Sequence, residues 1–198
     1  MTLDAKSVDG ERTALKEWAV LVDAMASGEI IAMVRKGGIR ERRAGFDVRH
    51  DRFLLYPTFF HEKVNELAER FRPSLDRAHA DRPPSGMLQL RFVAEVAAVW
   101  RVTELQRLRG IHAEHGLTWG AVESRFRYRD DPLVHVVAVR LARLPAVVTV
   151  PDIRRYSGCV SWVKLDDDVV VEPSEPVIDE PSFTARLRAL ASELGEAL

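Results

Sequence analysis

The sequence has one cysteine, Cys159, in 198 residues, which excludes an internal disulfide and any metal site built on cysteine pairs. Its formal net charge is −1, so no overall field draws the chain toward nucleic acid or an acidic membrane. The longest apolar stretches, Val93 to Val102 and Leu133 to Val150, are broken by Glu95 and Arg101, and by His135, Arg140 and Arg143, and neither reads as a membrane span. The first residues lack the basic-then-apolar pattern of a signal peptide, and the expected location is the cytoplasm. There is no internal repeat, no P-loop, no dinucleotide fingerprint and no recognisable nucleophile triad. No metal and no cofactor is expected from such a set.

What remains is a chain that is 46% hydrophobic and 30% charged, the balance of a globular protein with room for one sizeable core. The reading is one domain over residues 1–198. The charge is unevenly spread: Arg35 to Arg52 carries seven basic residues against Glu41, Asp47 and Asp51, and Asp166 to Glu180 carries seven acidic residues and no basic one. Leu15, Trp18, Ala19, Val22 and Met25 recur at helical spacing, with Thr13 as N-cap and Gly28 at the C-cap, which predicts a first helix. Ile30 to Val34 is a β-rich run feeding into Arg35-Lys36-Gly37-Gly38, and Phe53 to Tyr56 is a strand stopped by Pro57. A helix capped by Thr58 and carrying Phe60, Val64, Leu67 and Phe71 is expected next, then a loop from Arg72 to Gly86 with Pro73, Pro83 and Pro84.

Leu88 to Val102 reads as a long strand, since β-branched and aromatic residues accumulate and no cap signal precedes Thr103. Short helices follow at Thr103 to Arg109 and Thr118 to Phe126. Leu133 to Leu144 and Tyr156 to Leu165 are further strands, residues 166–181 an acidic loop, and residues 182–196 an amphipathic helix with Phe183, Leu187, Leu190 and Leu194 on one face. The order of elements predicts α+β, with one mixed, curved or barrel-like sheet flanked by helices. Trp18, Val22, Leu55, Val96, Val137, Val139 and Trp162 are the expected core. The last helix could dock on its own core or join two copies as a homo-oligomer.

The working surface is expected between Arg35 and His61. Gly37 and Gly38 allow positive φ and close approach of backbone N–H groups to an anion, while Arg35, Lys36 and Arg40 supply charge for phosphates. Tyr56 and either His50 or His61 could converge on one pocket, with imidazole as donor, acceptor or general base, and Thr58 would turn the positive end of its helix toward an anion. Ser161 and Trp162, beside Gly158 and Cys159, leave room for backbone approach to a ligand. His112-Ala113-Glu114-His115 has the wrong spacing for a zinc helix, and Gly110 and Gly116 put it in a loop. Arg125-Phe126-Arg127-Tyr128-Arg129 reads as aromatics in the core and arginines in solvent or paired with acids.

The phrases LKEWAVLVDAM, GEIIAMVRKGGIRE, FLLYPTFFH, RFRYRDDPLVHVVAVRLARLP and YSGCVSWVKL, in that order over nearly the whole chain, resemble the bacterial domain-of-unknown-function family 1802. That resemblance implies no particular activity. In element order the chain is also similar to the small β-barrels of the PUA and ASCH superfamily, a likeness that implies RNA or modified bases as ligands. Two functional classes follow: a nucleic-acid or nucleotide binding module (DNA, RNA or a nucleotide at the basic turn), and a hydrolase or nuclease using His50 or His61 with Glu41 or Glu62. A structural partner protein is the third.

Overall fold

The computed structural model describes residues 11–36, 50–59, 63–158, 160–169 and 175–198. Six strands, β1 (Glu11–Trp18), β2 (Ala32–Arg35), β3 (Arg52–Thr58), β4 (Met87–Val102), β5 (Val134–Pro151) and β6 (Trp162–Val169), form one mixed sheet in the order β2-β5-β4-β3-β1-β6. β1 and β3 run parallel, and the other neighbours are antiparallel. With helices α1 (Ala19–Ala26), α2 (Arg72–Ala80), α3 (Arg107–Gly110), α4 (Trp119–Arg127) and α5 (Glu180–Leu194), the architecture is α+β, as the element order predicts.

The sheet is open, not a closed barrel: β2 and β6 are its two edges. It is nevertheless curved. Arg35, at the end of β2, donates from Nη1 to the Lys16 carbonyl of β1 at 3.1 Å, so one edge reaches the strand beside the other. β4 and β5 make the long central ladder, and its irregularity lies where the sequence demands it. Leu90 pairs with Val148 and Phe92 with Arg143, so Leu144 to Val147 stand opposite Arg91. Pro145 falls inside that bulge, where its missing N–H breaks no ladder bond.

All five helices bury residues in one cluster on one face of the sheet, including Leu21, Val22 and Met25 of α1, Ala78 of α2, Leu108 of α3, Phe126 of α4 and Phe183, Leu190 and Leu194 of α5. The opposite face carries a second cluster, with Leu54, Tyr56, Leu88, Leu90, Val163 and Leu165 under Ile153 and Tyr156. Burying a side chain such as Phe183 or Leu190 contributes about 1.5–3 kcal/mol. α5 is fixed further by Trp100 Nε1, which donates to the Gly195 carbonyl at 2.9 Å, and by Arg186, which reaches Glu114, Gly28 O and Glu29 O. Its apolar face is thus covered by its own core. Gly116 adopts φ +69°, and a Cβ there would stand 2.6 Å from Leu21 Cδ2, so glycine is needed for both conformation and space.

Several elements differ from the sequence expectation. Residues Glu11–Trp18 are a strand and the helix starts only at Ala19. β1 lies inside the sheet with both faces covered, so Ala14 and Leu15 are both buried and the strand lacks the alternation that would mark it. No long helix follows Thr58: among the described residues there are two 3₁₀ turns, Val64–Glu66 and Glu69–Phe71, and then α2, where a loop is expected. Pro73 sits in the first turn of α2, where its missing N–H is harmless. β5 continues past Leu144 to Pro151, and β6 runs through Asp166 to Val169, into the expected acidic loop. Of the expected core, Val22, Leu55, Val137 and Val139 are buried, while Trp18, Val96 and Trp162 are half-buried against it.

Candidate functional site

Gly37, Gly38, Arg40, Glu41, His61 and Glu62 lie outside the described residues, but the root of the basic turn is visible. It grows from the end of β2 into a cluster of charges. Arg35 Nη1 donates to Glu17 Oε2 at 3.0 Å, and Glu17 is 5% exposed. Among the described residues Thr58 caps no helix; it stands at the end of β3 and its Oγ1 donates to the Glu17 carbonyl at 3.1 Å. Arg125 of α4 donates to the Val34 carbonyl at 3.1 Å, faces Glu66 at 4.0 Å and lies over the Trp18 ring at 5.3 Å. Burial lowers the Arg125 pKa and the Glu17 carboxylate opposes that shift. Two guanidiniums and two carboxylates therefore share a partly desolvated site, where one arginine without its acid would be strongly destabilising.

Lys36 is an internal tie. Its ammonium donates to the carbonyls of Phe126, Asp131 and Leu133, and its side chain is 10% exposed. Burial lowers its pKa and Asp131 opposes that. The three carbonyls bracket a turn in which Arg129 and Asp130 hold φ of 63° and 53°, an unusual conformation for two successive residues other than glycine. Lys36 fixes that turn from across the fold. Lys36, expected to supply charge for phosphates, is instead bonded to backbone carbonyls, and of the RFRYR arginines Arg125 faces Glu66 and Arg127 pairs with Glu123. Phe126 is in the core, whereas Tyr128 is 47% exposed.

Tyr56 does not join His50, and His61 lies outside the described residues. The tyrosine lies on the second face of the sheet, 6% exposed, with its hydroxyl donating to Asp152 Oδ1 at 2.6 Å. Burial first, and that bond second, raise its pKa. Lys16 is 5.4 Å from the Tyr56 ring centroid and its ammonium bonds the carbonyls of Tyr156 and Gly158, so these residues bind residues 152–158 to the sheet. Ser161 is buried and its carbonyl accepts the Lys16 N–H at 2.9 Å.

His50 and Trp162 do come together. Their ring centroids are 5.2 Å apart in an edge-to-face arrangement, and Trp162 meets Phe53 in the same way at 5.0 Å. Trp162 also lines a groove of about 480 Å³ at the outer edge of β6, with Arg12, Arg155, Lys164 and Tyr156. Asp166 is the carboxylate in that lining and is paired with Arg155. The groove thus holds three cationic side chains, an indole and one acid. Arg12 and Lys164 fall at alternating positions of two short strands, and their placement depends on the Thr13↔Lys164 register of β1 and β6, which no local sequence signal specifies.

Among the described residues no group of three or more His, Cys, Asp or Glu could hold a metal ion, and no helix is long and apolar enough to cross a membrane. His112 is exposed and His115 is buried, so the two do not make a pair of ligands. No curated protein and no solved structure matches the chain, and its likeness in element order to PUA and ASCH barrels is not confirmed. A family model described as Domain of unknown function (DUF1802) matches residues 14–189, and the chain belongs to that family.

Proposed function

We propose that the chain is a binding module for single-stranded nucleic acid or a nucleotide, held along the outer edge of β6. The observation that carries this reading is the groove lined by Arg12, Arg155, Lys164, Tyr156 and Trp162. A single strand presents a row of phosphates and a series of π-faces. Sites that hold it without reading sequence combine cations along the backbone with an aromatic ring for a base, worth about 1–3 kcal/mol per stacked base. A net charge of −1 is no obstacle, because a compact site needs only a local cluster of cations, here Arg12, Lys164 and an Arg155 that Asp166 already pairs.

The basic segment after β2 belongs to the same reading by sequence alone. Arg35 and Lys36 are bonded to Glu17 and to backbone carbonyls, so phosphate contact there falls to Arg40 and its neighbours. Hydrolysis has less behind it, since His50 meets the Trp162 ring and the other residues of that reading lie outside the described ones. Fluorescence anisotropy with DNA and RNA oligomers across a salt series tests the proposal. Three phosphate contacts on a single strand give a slope of about −2 in log K against log salt, at roughly 0.7 per contact. Arg155→Ala with Lys164→Ala should bring that slope to about −0.7 with the fold unchanged. Absence of binding at low salt, or an unchanged slope in the double variant, overturns it.

A further inference from the structure

A second groove, of about 540 Å³, shares no residue with the one at β6. It opens where the isolated bridge between Leu67 and Leu117 joins the segment after β3 to the start of α4. Ala68, Leu117 and Trp119 give it an apolar wall, and Arg70, Arg109 and His112 stand at its rim with Glu69. The Arg109 guanidinium lies 4.0 Å from the Trp119 ring centroid, and its Nε donates to Gln106 Oε1 at 3.0 Å. A guanidinium stacked on an indole keeps its remaining N–H donors in plane and able to reach an anion. Arg70 donates from Nη2 to the Ala113 carbonyl at 2.5 Å and lies over the Phe71 ring at 4.5 Å from its centroid. Neither arginine has a carboxylate partner among the described residues, whereas Arg35, Arg125, Arg140 and Arg186 each have one. The rim thus carries two arginines and His112 against one carboxylate, Glu69.

From this juxtaposition of a flat apolar wall and two arginines lacking acids, we propose a binding site for a small aromatic anion, its ring against Trp119 and its phosphate or carboxylate between Arg70 and Arg109. The volume suits a ligand of that size. A neutral ring lacks the ionic half of the site, and a bare phosphate lacks the apolar half. The site is independent of the nucleic-acid reading and stands or falls by different residues.

Isothermal titration of the full chain with adenosine monophosphate and with indole-3-carboxylate tests it, adenosine and inorganic phosphate serving as controls. The expected result is saturable one-to-one binding of at least one aromatic anion, tenfold or more tighter than either control. The anion that binds identifies the source of the ligand as nucleotide or aryl carboxylate. Arg70→Gln with Arg109→Gln should weaken it at least tenfold without moving the thermal melt. Arg109→Lys, which keeps charge and loses the flat stack, should fall between and serves alone if the double variant does not fold. Failure of both anions to saturate at millimolar concentration overturns the proposal. So does binding that survives these variants and is lost instead with Arg155→Gln and Lys164→Gln, which would assign the ligand to the β6 groove.

Discussion

His115 should make the fold acid-sensitive in a defined window. The Leu117 N–H donates to its Nδ1 at 3.2 Å, so the neutral ring carries its proton on Nε2, and that atom has no hydrogen-bond partner among the described residues. Burial, with Arg125 and His112 adding to it, lowers its pKa from 6.5 to about 4. The unfolded chain therefore takes up the proton first as pH falls. The stability held by neutral His115 is whole above pH 6.5, declines as the pH falls and is lost below about 4. The gap between those two values corresponds to about 3 kcal/mol. Urea denaturation at several pH values across that window, for wild type and His115→Asn, isolates it. The asparagine keeps an acceptor near the Leu117 N–H and does not titrate. At neutral pH the variant still buries unsatisfied donors, on its amide nitrogen, and gains a small cavity, so it starts less stable than the wild type. The wild type should lose about 3 kcal/mol more than the variant between the two ends of the window. Parallel curves for the two proteins would refute the reasoning.

Lys36→Met should destabilise the fold by about 2–3 kcal/mol in urea denaturation, because three carbonyls around the Arg129 and Asp130 turn lose a shared charged donor. Tyr56→Phe should lower stability by about 1–2 kcal/mol and remove a phenol protected from base titration, since the Asp152 carboxylate loses its donor. Truncation before Pro181 should give insoluble protein, because it strips Phe183, Leu190 and Leu194 from the core; a soluble truncated chain of altered oligomeric state would instead make α5 an interface.

The parts of the fold legible in the sequence are those where periodicity and packing agree. The long strands at Leu88 to Val102 and Leu133 to Leu144 are read correctly because apolar and β-branched residues accumulate along them, and the turn at Gly28, φ +74°, follows from a glycine past the last apolar helical residue. The first element is misread because β1 runs into α1 without a break, and Leu15, Trp18, Ala19 and Val22 form one helical-looking pattern across two structures. α2 is missed because only Ala78 of its nine residues is buried, so it has almost no apolar stripe. The site divides in the same way. His50 and Trp162 are among the sequence candidates and meet in space, but that Trp162 shares a groove with Arg12, Arg155 and Lys164 depends on the pairing of β1 with β6. The ion pair of Glu17 and Arg35 joins residues eighteen positions apart on different strands. Glu17 does leave one trace, a carboxylate inside the apolar run LKEWAVLV, where a buried partner is the physical explanation.

The central claim, a nucleic-acid surface at the β6 edge, is met most directly by nuclear magnetic resonance of the labelled chain titrated with a short single-stranded oligonucleotide. The Trp162 indole N–H and the backbone amides of Arg12 and of Trp162 to Asp166 should shift together and saturate at one oligomer per chain. The Trp100 indole, buried and bonded to Gly195 O, should stay in place. Saturating shifts confined to other residues, or none at low salt, would contradict the assignment of this groove.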